Sequence, residues 1–254
     1  MSGFYRTAHC TDVGIRKATN QDSILLMQAE SSSGPVLLAA LCDGIGGLAK
    51  GELASAAVIR ALRNWFAVKL PVLLRKDEFQ TELYSAWNSF IGEMNLRIAD
   101  YGRSIGANLG TTVTMLLFAG ENYYIANVGD TRVYLAEDQL YQLTKDQTLV
   151  QKEVDEGKIT PEQAACDPRR SVLLQCVGAS AEVVPDFLAG SLRAGQQYLI
   201  CCDGFRHNIS PNEIFRSISS AQTESEMKTA LQMLVDLNKQ RQETDNITAI
   251  LIRV

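Results

Sequence analysis

Apolar runs that end in an aspartate constrain this chain more than any other feature of its sequence. Residues 36–42 (VLLAALC) and 198–202 (YLICC) are each followed by an Asp-Gly pair, at Asp43 and at Asp203. A third aspartate, Asp245, stands just before the last apolar run, ITAILI. A short apolar run bounded by turn-forming residues is typical of a buried strand. We therefore expect three carboxylates to be held rigidly where buried strands end or begin.

These three aspartates suggest a site for hard divalent cations. Carboxylate oxygens are the ligands that such ions prefer in proteins, and no matching cluster of basic residues stands beside them. One Asp-Gly pair after a strand is usually only a turn. Three aspartates at strand ends in one chain make a metal site the stronger interpretation.

The composition excludes several kinds of function. The chain has 254 residues and a net charge of −5, which argues against nucleic acid as a partner because phosphate backbones need a basic surface. Its six cysteines lack CxxC spacing and are typical of reduced thiols, not of a disulfide framework or a zinc site. The sequence shows neither a signal peptide nor an apolar run of about 18 residues. We therefore expect a cytoplasmic protein with no membrane partner.

The order of predicted elements indicates the fold class. The predicted strands are 4–13, 24–27, 36–42, 111–119, 122–128, 131–137, 171–177, 183–189, 197–202 and 247–253. The predicted helices, from apolar residues at helical spacing, are 51–68, 78–101, 211–219 and 223–241. The connections within 111–137 are short enough for hairpins, which predicts an antiparallel meander. Together these elements predict an α+β fold of two antiparallel sheets covered by helices, in one domain over residues 1–254.

Six motifs together are more specific than any one of them. They are DVGIRKATNQDS, LCDGIGG, GTTVT, NVGDTRVY, CCDGFRHNIS and TDNITAILI. In order and spacing they resemble the protein phosphatase 2C family, the metal-dependent serine/threonine phosphatases, and the chain is similar to the bacterial members. The resemblance covers nearly the whole chain and implies a four-layer αββα sandwich of two mainly antiparallel sheets flanked by helices. The polar stretch at about 145–170 resembles the flap subdomain of the family.

The resemblance also implies which residues bind metal. Asp43 would bridge two Mn²⁺ or Mg²⁺ ions, with the carbonyl of Gly44 on one ion and Asp203 and Asp245 on the other. Two cations close together acidify a bridging water, which attacks phosphorus, so that no nucleophilic side chain is required. Asp43, Asp203 and Asp245 are thus the predicted catalytic carboxylates for the hydrolysis of a phosphomonoester.

Three further residues belong to the metal site that the resemblance implies. Asp22 would act through a metal-bound water, and Asp130, in NVGD, would help to hold a weaker third ion. His207 follows Asp203 by four residues, where relatives usually carry Asp or Asn. It would be a ligand to Mn²⁺ or a hydrogen-bonding neighbour of the ligands, and a solvent-facing loop histidine is the alternative.

The phosphate anchor has two candidates. The family usually has Arg five residues before the first aspartate, and counted back from Asp22 that position is Lys17, with Arg16 beside it. The register favours Lys17, whereas a slip of one residue in the loop would favour Arg16. Lysine binds phosphate as a point charge, without the bidentate geometry of arginine.

The resemblance implies an enzyme that acts on phosphorylated proteins and reverses a cognate cytoplasmic serine/threonine kinase. Two alternatives keep the same fold. A phosphoprotein-binding pseudophosphatase would be favoured by loss of Asp43, Asp203 or Asp245, and none of them is lost. A metal-dependent hydrolase of small phosphoesters would keep all three, so that only assays on both substrate classes distinguish it from a protein phosphatase.

Overall fold

The chain folds around two five-stranded antiparallel sheets that pack face to face. The computed structural model describes residues 5–45 and 50–254. The predicted turn glycines Gly46 and Gly47, and residue 4 of the first predicted strand, lie outside the described residues. Helices cover the outer face of each sheet, so the predicted four-layer α+β sandwich is confirmed.

Ten strands and eight helices follow one another along the described chain. The strands are β1 (Arg6–Asp12), β2 (Ser23–Ser31), β3 (Gly34–Cys42), β4 (Val113–Ala119), β5 (Asn122–Val128), β6 (Arg132–Ala136), β7 (Leu140–Gln142), β8 (Asp186–Ser191), β9 (Gln197–Cys201) and β10 (Ile247–Arg253). The helices are α1 (Gly51–Val68), α2 (Leu70–Leu73), α3 (Phe79–Ser104), α4 (Leu149–Asp155), α5 (Pro161–Cys166), α6 (Asp203–Arg206), α7 (Pro211–Ile218) and α8 (Glu224–Gln240). One sheet has the strand order β1-β10-β9-β6-β7, and the other has the order β2-β3-β4-β5-β8.

Strand β3 shows why the run before Asp43 is apolar throughout. Leu37 and Leu41 face the core between the two sheets, whereas Leu38 and Ala40 face the core beneath α1 and α3. Successive side chains of a strand point to opposite faces, so a strand buried on both faces needs an unbroken apolar run. All four side chains are fully buried, and the end of β3 therefore gives the next residue a rigid support.

Helices α1 and α3 cover one sheet, and α7 and α8 cover the other. Both α7 and α8 begin at a capping box, formed by Ser210 with Glu213 and by Thr223 with Glu226. In a capping box each side chain satisfies a backbone N–H of the other residue, which fixes the first turn close to its predicted position. None of the described helices is both long enough and apolar enough to span a membrane.

The predicted meander over 111–137 is wrong at its second connection. Strand β4 pairs with β5 as expected, but β6 pairs with β7 and β9 in the other sheet. The connection passes from one sheet to the other through Gly129, whose φ of 107° lies in the left-handed region that favours glycine. Asp130 consequently lies at the boundary between the two sheets and not at the tip of a hairpin.

Two other predicted strands also differ from the structure. Residues 171–177 form only isolated bridges to separate segments, and Val172 and Leu174 are about half exposed. Without one continuous partner strand, an apolar pattern alone does not make a ladder. The strand predicted at 183–189 begins later, as β8, because Pro185 precedes it and has no N–H to donate to a ladder.

Candidate metal and phosphate site

Strand register brings the predicted carboxylates together in pairs. Asp22 directly precedes β2 and Asp43 directly follows β3, and the last residue of β3 pairs with the first residue of β2. Asp203 follows the last paired residues of β9, and Asp245 precedes its neighbour β10. In an antiparallel pair one strand ends where its partner begins. Each pair of aspartates therefore lies at one edge of a sheet.

Asp22 and Asp43 lie in close proximity. One carboxylate oxygen of each and the Sγ of Cys202 lie within 4.8 Å of one another. Among the described residues, neither buried carboxylate oxygen of Asp22 has a hydrogen-bond partner. Buried polar atoms are normally paired, so two unpaired oxygens beside a second carboxylate fit a site for hard cations.

Cys202 is a neighbour that the sequence did not single out as a site residue. Its thiol donates to the Asn246 carbonyl at 3.4 Å, and its sulfur accepts the Thr248 N–H at 3.2 Å. Burial, followed by the charges of Asp22 and Asp43, raises the pKa of Cys202 well above its ordinary value. It therefore remains a protonated thiol that packs beneath the carboxylates.

Burial and mutual repulsion dominate the electrostatics of the carboxylates. Burial and the charge of Asp203 raise the pKa of Asp22 to about 7. The pKa of Asp43 is raised well above its ordinary value by burial and then by the charges of Asp22 and Asp203. Carboxylates that share a buried site cannot all ionise without a counter-charge. The donor set and its electrostatics thus fit divalent cations.

Asp203 differs because it faces two basic side chains, His207 and Arg206. Its Oδ2 lies 3.4 Å from His207 Nε2 and accepts a hydrogen bond from the Ser171 hydroxyl at 3.2 Å. Burial acts to raise the pKa of Asp203, but the charges of His207 and Arg206 outweigh it, so the pKa is lowered. The His207 side chain is only 10% exposed, and its Nδ1 lies 3.7 Å from Glu243 Oε2. His207 is therefore not the solvent-facing loop residue of the alternative interpretation.

Backbone contacts fix the position of Asp43. Its N–H donates to Thr112 Oγ1 at 2.9 Å, and its carbonyl accepts the Thr112 N–H at 2.8 Å and the Thr111 hydroxyl at 2.9 Å. The next residue, Gly44, packs against Gly51 so closely that a Cβ would lie 2.6 Å from the Gly51 carbonyl carbon. Glycine is required here for the close approach of α1 to the end of β3.

Asn246 attaches the loop before Asp22 to the start of β10. Its Nδ2 donates to the carbonyls of Val13 and Thr19, at 3.0 and 3.2 Å, and its Oδ1 accepts the Gln21 N–H at 2.9 Å. These two donated hydrogen bonds and one accepted hydrogen bond of a buried amide hold the loop in one conformation. No role for Asn246 was predicted from the sequence, although this residue stands in the motif TDNITAILI.

The loop brings Lys17, and not Arg16, to the carboxylates. Lys17 Nζ lies 2.8 Å from Asp245 Oδ1 and the lysine is half-buried, whereas Arg16 is exposed and has no ion pair among the described residues. Burial acts to lower the pKa of Lys17, but its hydrogen bond to Asp245 contributes to a net rise. Lys17 therefore remains a cation at the edge of the site.

Asp130 joins the cluster from the connection between the sheets. It is buried, and its carbonyl accepts a hydrogen bond from Arg206 Nη2 at 2.9 Å. The same Nη2 lies 4.0 Å from Asp130 Oδ2. Burial and the charge of Asp203 raise the pKa of Asp130 to about 8, and the charge of Arg206 acts in the opposite direction.

The sandwich is shared with solved phosphatase structures. The catalytic domain of the serine threonine protein phosphatase PstP, solved in complex with two manganese ions, matches at a TM-score of 0.79 and 32% identity, covering 98% of this chain and 97% of that one. A sequence model described as protein phosphatase 2C matches residues 14–240. The chain belongs to the protein phosphatase 2C family, and the prediction from its six motifs is confirmed.

Bacterial relatives support the same assignment. The serine/threonine protein phosphatase PstP of Mycobacterium tuberculosis is 34% identical over 252 residues, which cover 98% of this chain and 45% of that protein. This chain thus spans less than half the length of PstP. The serine/threonine phosphatase stp of Listeria monocytogenes serotype 4b is 31% identical over 245 residues, which cover 95% of this chain and 93% of that protein.

Proposed function

We propose that this chain is a metal-dependent serine/threonine phosphoprotein phosphatase that hydrolyses phosphomonoesters at a centre of two Mn²⁺ or Mg²⁺ ions. The observation that carries the proposal is the pair of buried, unpaired carboxylate oxygens of Asp22 beside the carboxylate of Asp43. Buried charge is costly unless a counter-charge accompanies it. The names of the relatives and the two manganese ions of the PstP structure support the same activity.

Five residues form the proposed metal centre. Asp43 and the carbonyl of Gly44 would hold one ion, Asp43, Asp203 and Asp245 would hold the other, and Asp22 faces the same space. When bound, the ions supply a water nucleophile of lowered pKa and offset the charge of the phosphoryl group. The residues themselves contribute a fixed arrangement of oxygen donors, because strand ends and backbone hydrogen bonds hold them in place.

Lys17 is the proposed phosphate anchor. Its ammonium group has three donors, one of which is directed at Asp245. A substrate phosphate beside the carboxylate cluster would accept a hydrogen bond from a second of these donors. Arg16, by contrast, is exposed and forms no ion pair with the carboxylates among the described residues.

Replacing Lys17 tests this assignment. Lys17→Ala should raise KM for a phosphothreonine peptide by about 10-fold, because a charge-assisted hydrogen bond to the phosphate is lost. Arg16→Ala is the matched control and should keep a KM close to that of the wild type. Steady-state kinetics at saturating Mn²⁺ measure both. A larger increase for Arg16→Ala than for Lys17→Ala would show that Arg16 is the anchor.

We further propose that residues 145–170 form a flap subdomain that selects protein substrates. Helix α5 within this stretch buries none of its residues. The stretch is attached at its base, where Asp146 pairs with Arg132 at 2.7 Å, and just beyond its end, where Ser171 donates to Asp203. An exposed, polar segment attached beside a site is well placed to contact a large substrate.

The flap can be tested by replacing residues 158–166 with a Gly-Ser linker of equal length. This change should lower kcat/KM on a phosphoprotein by about 10-fold, as expected for the loss of a modest contact surface. Hydrolysis of a small aryl phosphate should stay close to the wild-type rate, because the attachments of the stretch at Asp146 and Ser171 remain. Equal losses on both substrates would make the stretch a structural part of the site.

The activity itself can be tested on the purified protein. We expect phosphate release from phosphoserine and phosphothreonine peptides with Mn²⁺ or Mg²⁺, and none after thorough chelation. Small phosphorylated metabolites serve as the comparison substrates. Faster turnover of the metabolites would favour the small-phosphoester hydrolase, and metal-dependent binding of phosphopeptides without turnover would favour the pseudophosphatase.

The proposal places the enzyme in the cytoplasm, opposite a serine/threonine kinase. All six cysteines are free, and four of them are buried. Unpaired thiols are typical of a reducing compartment. A phosphorylated serine or threonine in that compartment requires a kinase that produces it, and this kinase is the proposed cognate partner.

A further inference from the structure

Arg206 enters the acidic cluster on the side of Asp130. It is the last residue of α6, which begins at Asp203, and its side chain is only 12% exposed. Its Nη2 donates to the Asp130 carbonyl at 2.9 Å and to Asp146 Oδ2 at 3.2 Å, and lies 4.0 Å from Asp130 Oδ2. A buried guanidinium group therefore lies against the carboxylate that would bind an ion on this side.

A second arginine already neutralises Asp146. Arg132 donates from Nε and Nη2 to the two Asp146 oxygens, at 2.7 and 2.8 Å. The two guanidinium groups of Arg132 and Arg206 thus face the two carboxylates of Asp146 and Asp130. This side of the cluster therefore holds two protein cations beside its two carboxylates.

The carboxylates of Asp22 and Asp43 have no such partners. Among the described residues neither of them forms an ion pair, and Lys17 pairs with Asp245. Divalent cations are therefore needed at Asp22 and Asp43. Beside Asp130, by contrast, the protein supplies a cation of its own.

We propose that the guanidinium group of Arg206 occupies the space beside Asp130 that a third metal ion would need. This chain therefore binds two ions and not three. The inference rests on the proposed function. It disagrees with the weaker third ion that the family resemblance implies for Asp130. Arginine does not lose its proton near neutral pH, and repulsion between a divalent ion and a guanidinium group is strong in a buried place.

The number of bound ions is the direct test. Equilibrium dialysis of the metal-free protein against Mn²⁺, with the free ion measured by electron paramagnetic resonance, should give two ions per wild-type chain. Arg206→Gln should gain a third, weaker ion because Asp130 loses its counter-charge. Arg206→Lys keeps the charge and should remain at two. Arg132→Gln is the matched control, because it removes the other arginine at Asp146, and it should also remain at two.

Three results would overturn the inference. The first is a third ion bound to the wild type, and the second is a third ion bound to Arg132→Gln. The third is the absence of a third ion in Arg206→Gln when the circular dichroism spectrum of this variant is native. If Arg206→Gln does not fold, Asp130→Asn replaces it as the test. This variant should still bind two ions with unchanged affinity, and loss of an ion would contradict the inference. A wild type that binds no Mn²⁺ would instead overturn the proposed function.

Discussion

Asp43→Asn is expected to lower kcat by at least about 100-fold at saturating Mn²⁺, the scale on which loss of a metal-positioning or charge-stabilising group reduces turnover. The substitution keeps the shape of the side chain and removes one negative charge from the proposed metal centre. The measurement is the initial rate on a phosphothreonine peptide over a range of Mn²⁺ concentrations.

Thermal melting separates a ligand role from a folding defect in this variant. The raised pKa of Asp43 shows that its ionised form is unfavourable in the metal-free protein. In chelator, Asp43→Asn should therefore melt no lower than the wild type, and Mn²⁺ should raise its melting temperature less. Asp77→Asn, in the exposed connection before α3, is the matched control and should behave like the wild type. A rate within a few-fold of wild type for Asp43→Asn would contradict the two-metal proposal.

The metal-free protein is expected to lose stability between about pH 6.5 and pH 8. The pKa of Asp22 is raised to about 7 and that of Asp130 to about 8, whereas aspartate in an unfolded chain titrates near ~3.9. The folded protein therefore holds protons in this range that the unfolded chain has released. Under these conditions the free energy of unfolding falls as pH rises. The expected loss is on the order of 2 kcal/mol, or about 5 °C in melting temperature.

Asp43, whose pKa is also raised, contributes to the pH dependence with the same sign, and variants distinguish the contributions of the individual carboxylates. Burial lowers the pKa of His207. His207 therefore makes the free energy of unfolding rise with pH, opposite to the effect of the carboxylates. This effect is confined to pH values below the ordinary histidine pKa of about 6.5. Asp22→Asn should flatten the dependence of stability on pH, because one of the carboxylates with a raised pKa no longer titrates. Saturating Mn²⁺ should raise the melting temperature more at the upper end of this pH window than at the lower end, since the ions bind ionised carboxylates. A metal-free melting temperature that is constant or rises across the window would contradict the assignment.

Local sequence predicted the parts of the site that depend on one strand at a time. The unbroken apolar run of β3 identified a strand buried on both faces, and the aspartate after it is placed by that strand alone. The same holds for Asp203 after β9 and Asp245 before β10. Two antiparallel sheets followed from many strands with short connections. These features are local because side-chain alternation and turn chemistry act over a few residues.

The sequence failed where neighbours distant in the chain decide the structure. The motif NVGD resembles a hairpin turn, yet β5 and β6 lie in different sheets and Asp130 lies between them. The apolar residues of 171–177 have no continuous partner strand, so their pattern does not make one. A strand forms only beside a partner strand. The alternation of apolar and polar residues in one segment does not specify which distant segment will pair with it.

The sequence by itself determined the family, the sandwich and the positions of the aspartates at the strand ends, because each depends on short motifs and buried apolar runs. Only the tertiary structure decided which charges face one another. In the folded chain Lys17, and not Arg16, pairs with Asp245, and Arg206 lies beside Asp130. Asn246 holds the loop before Asp22 by hydrogen bonds. Electrostatic interactions depend on distance and burial in space, and neither can be obtained from the spacing of residues along the chain.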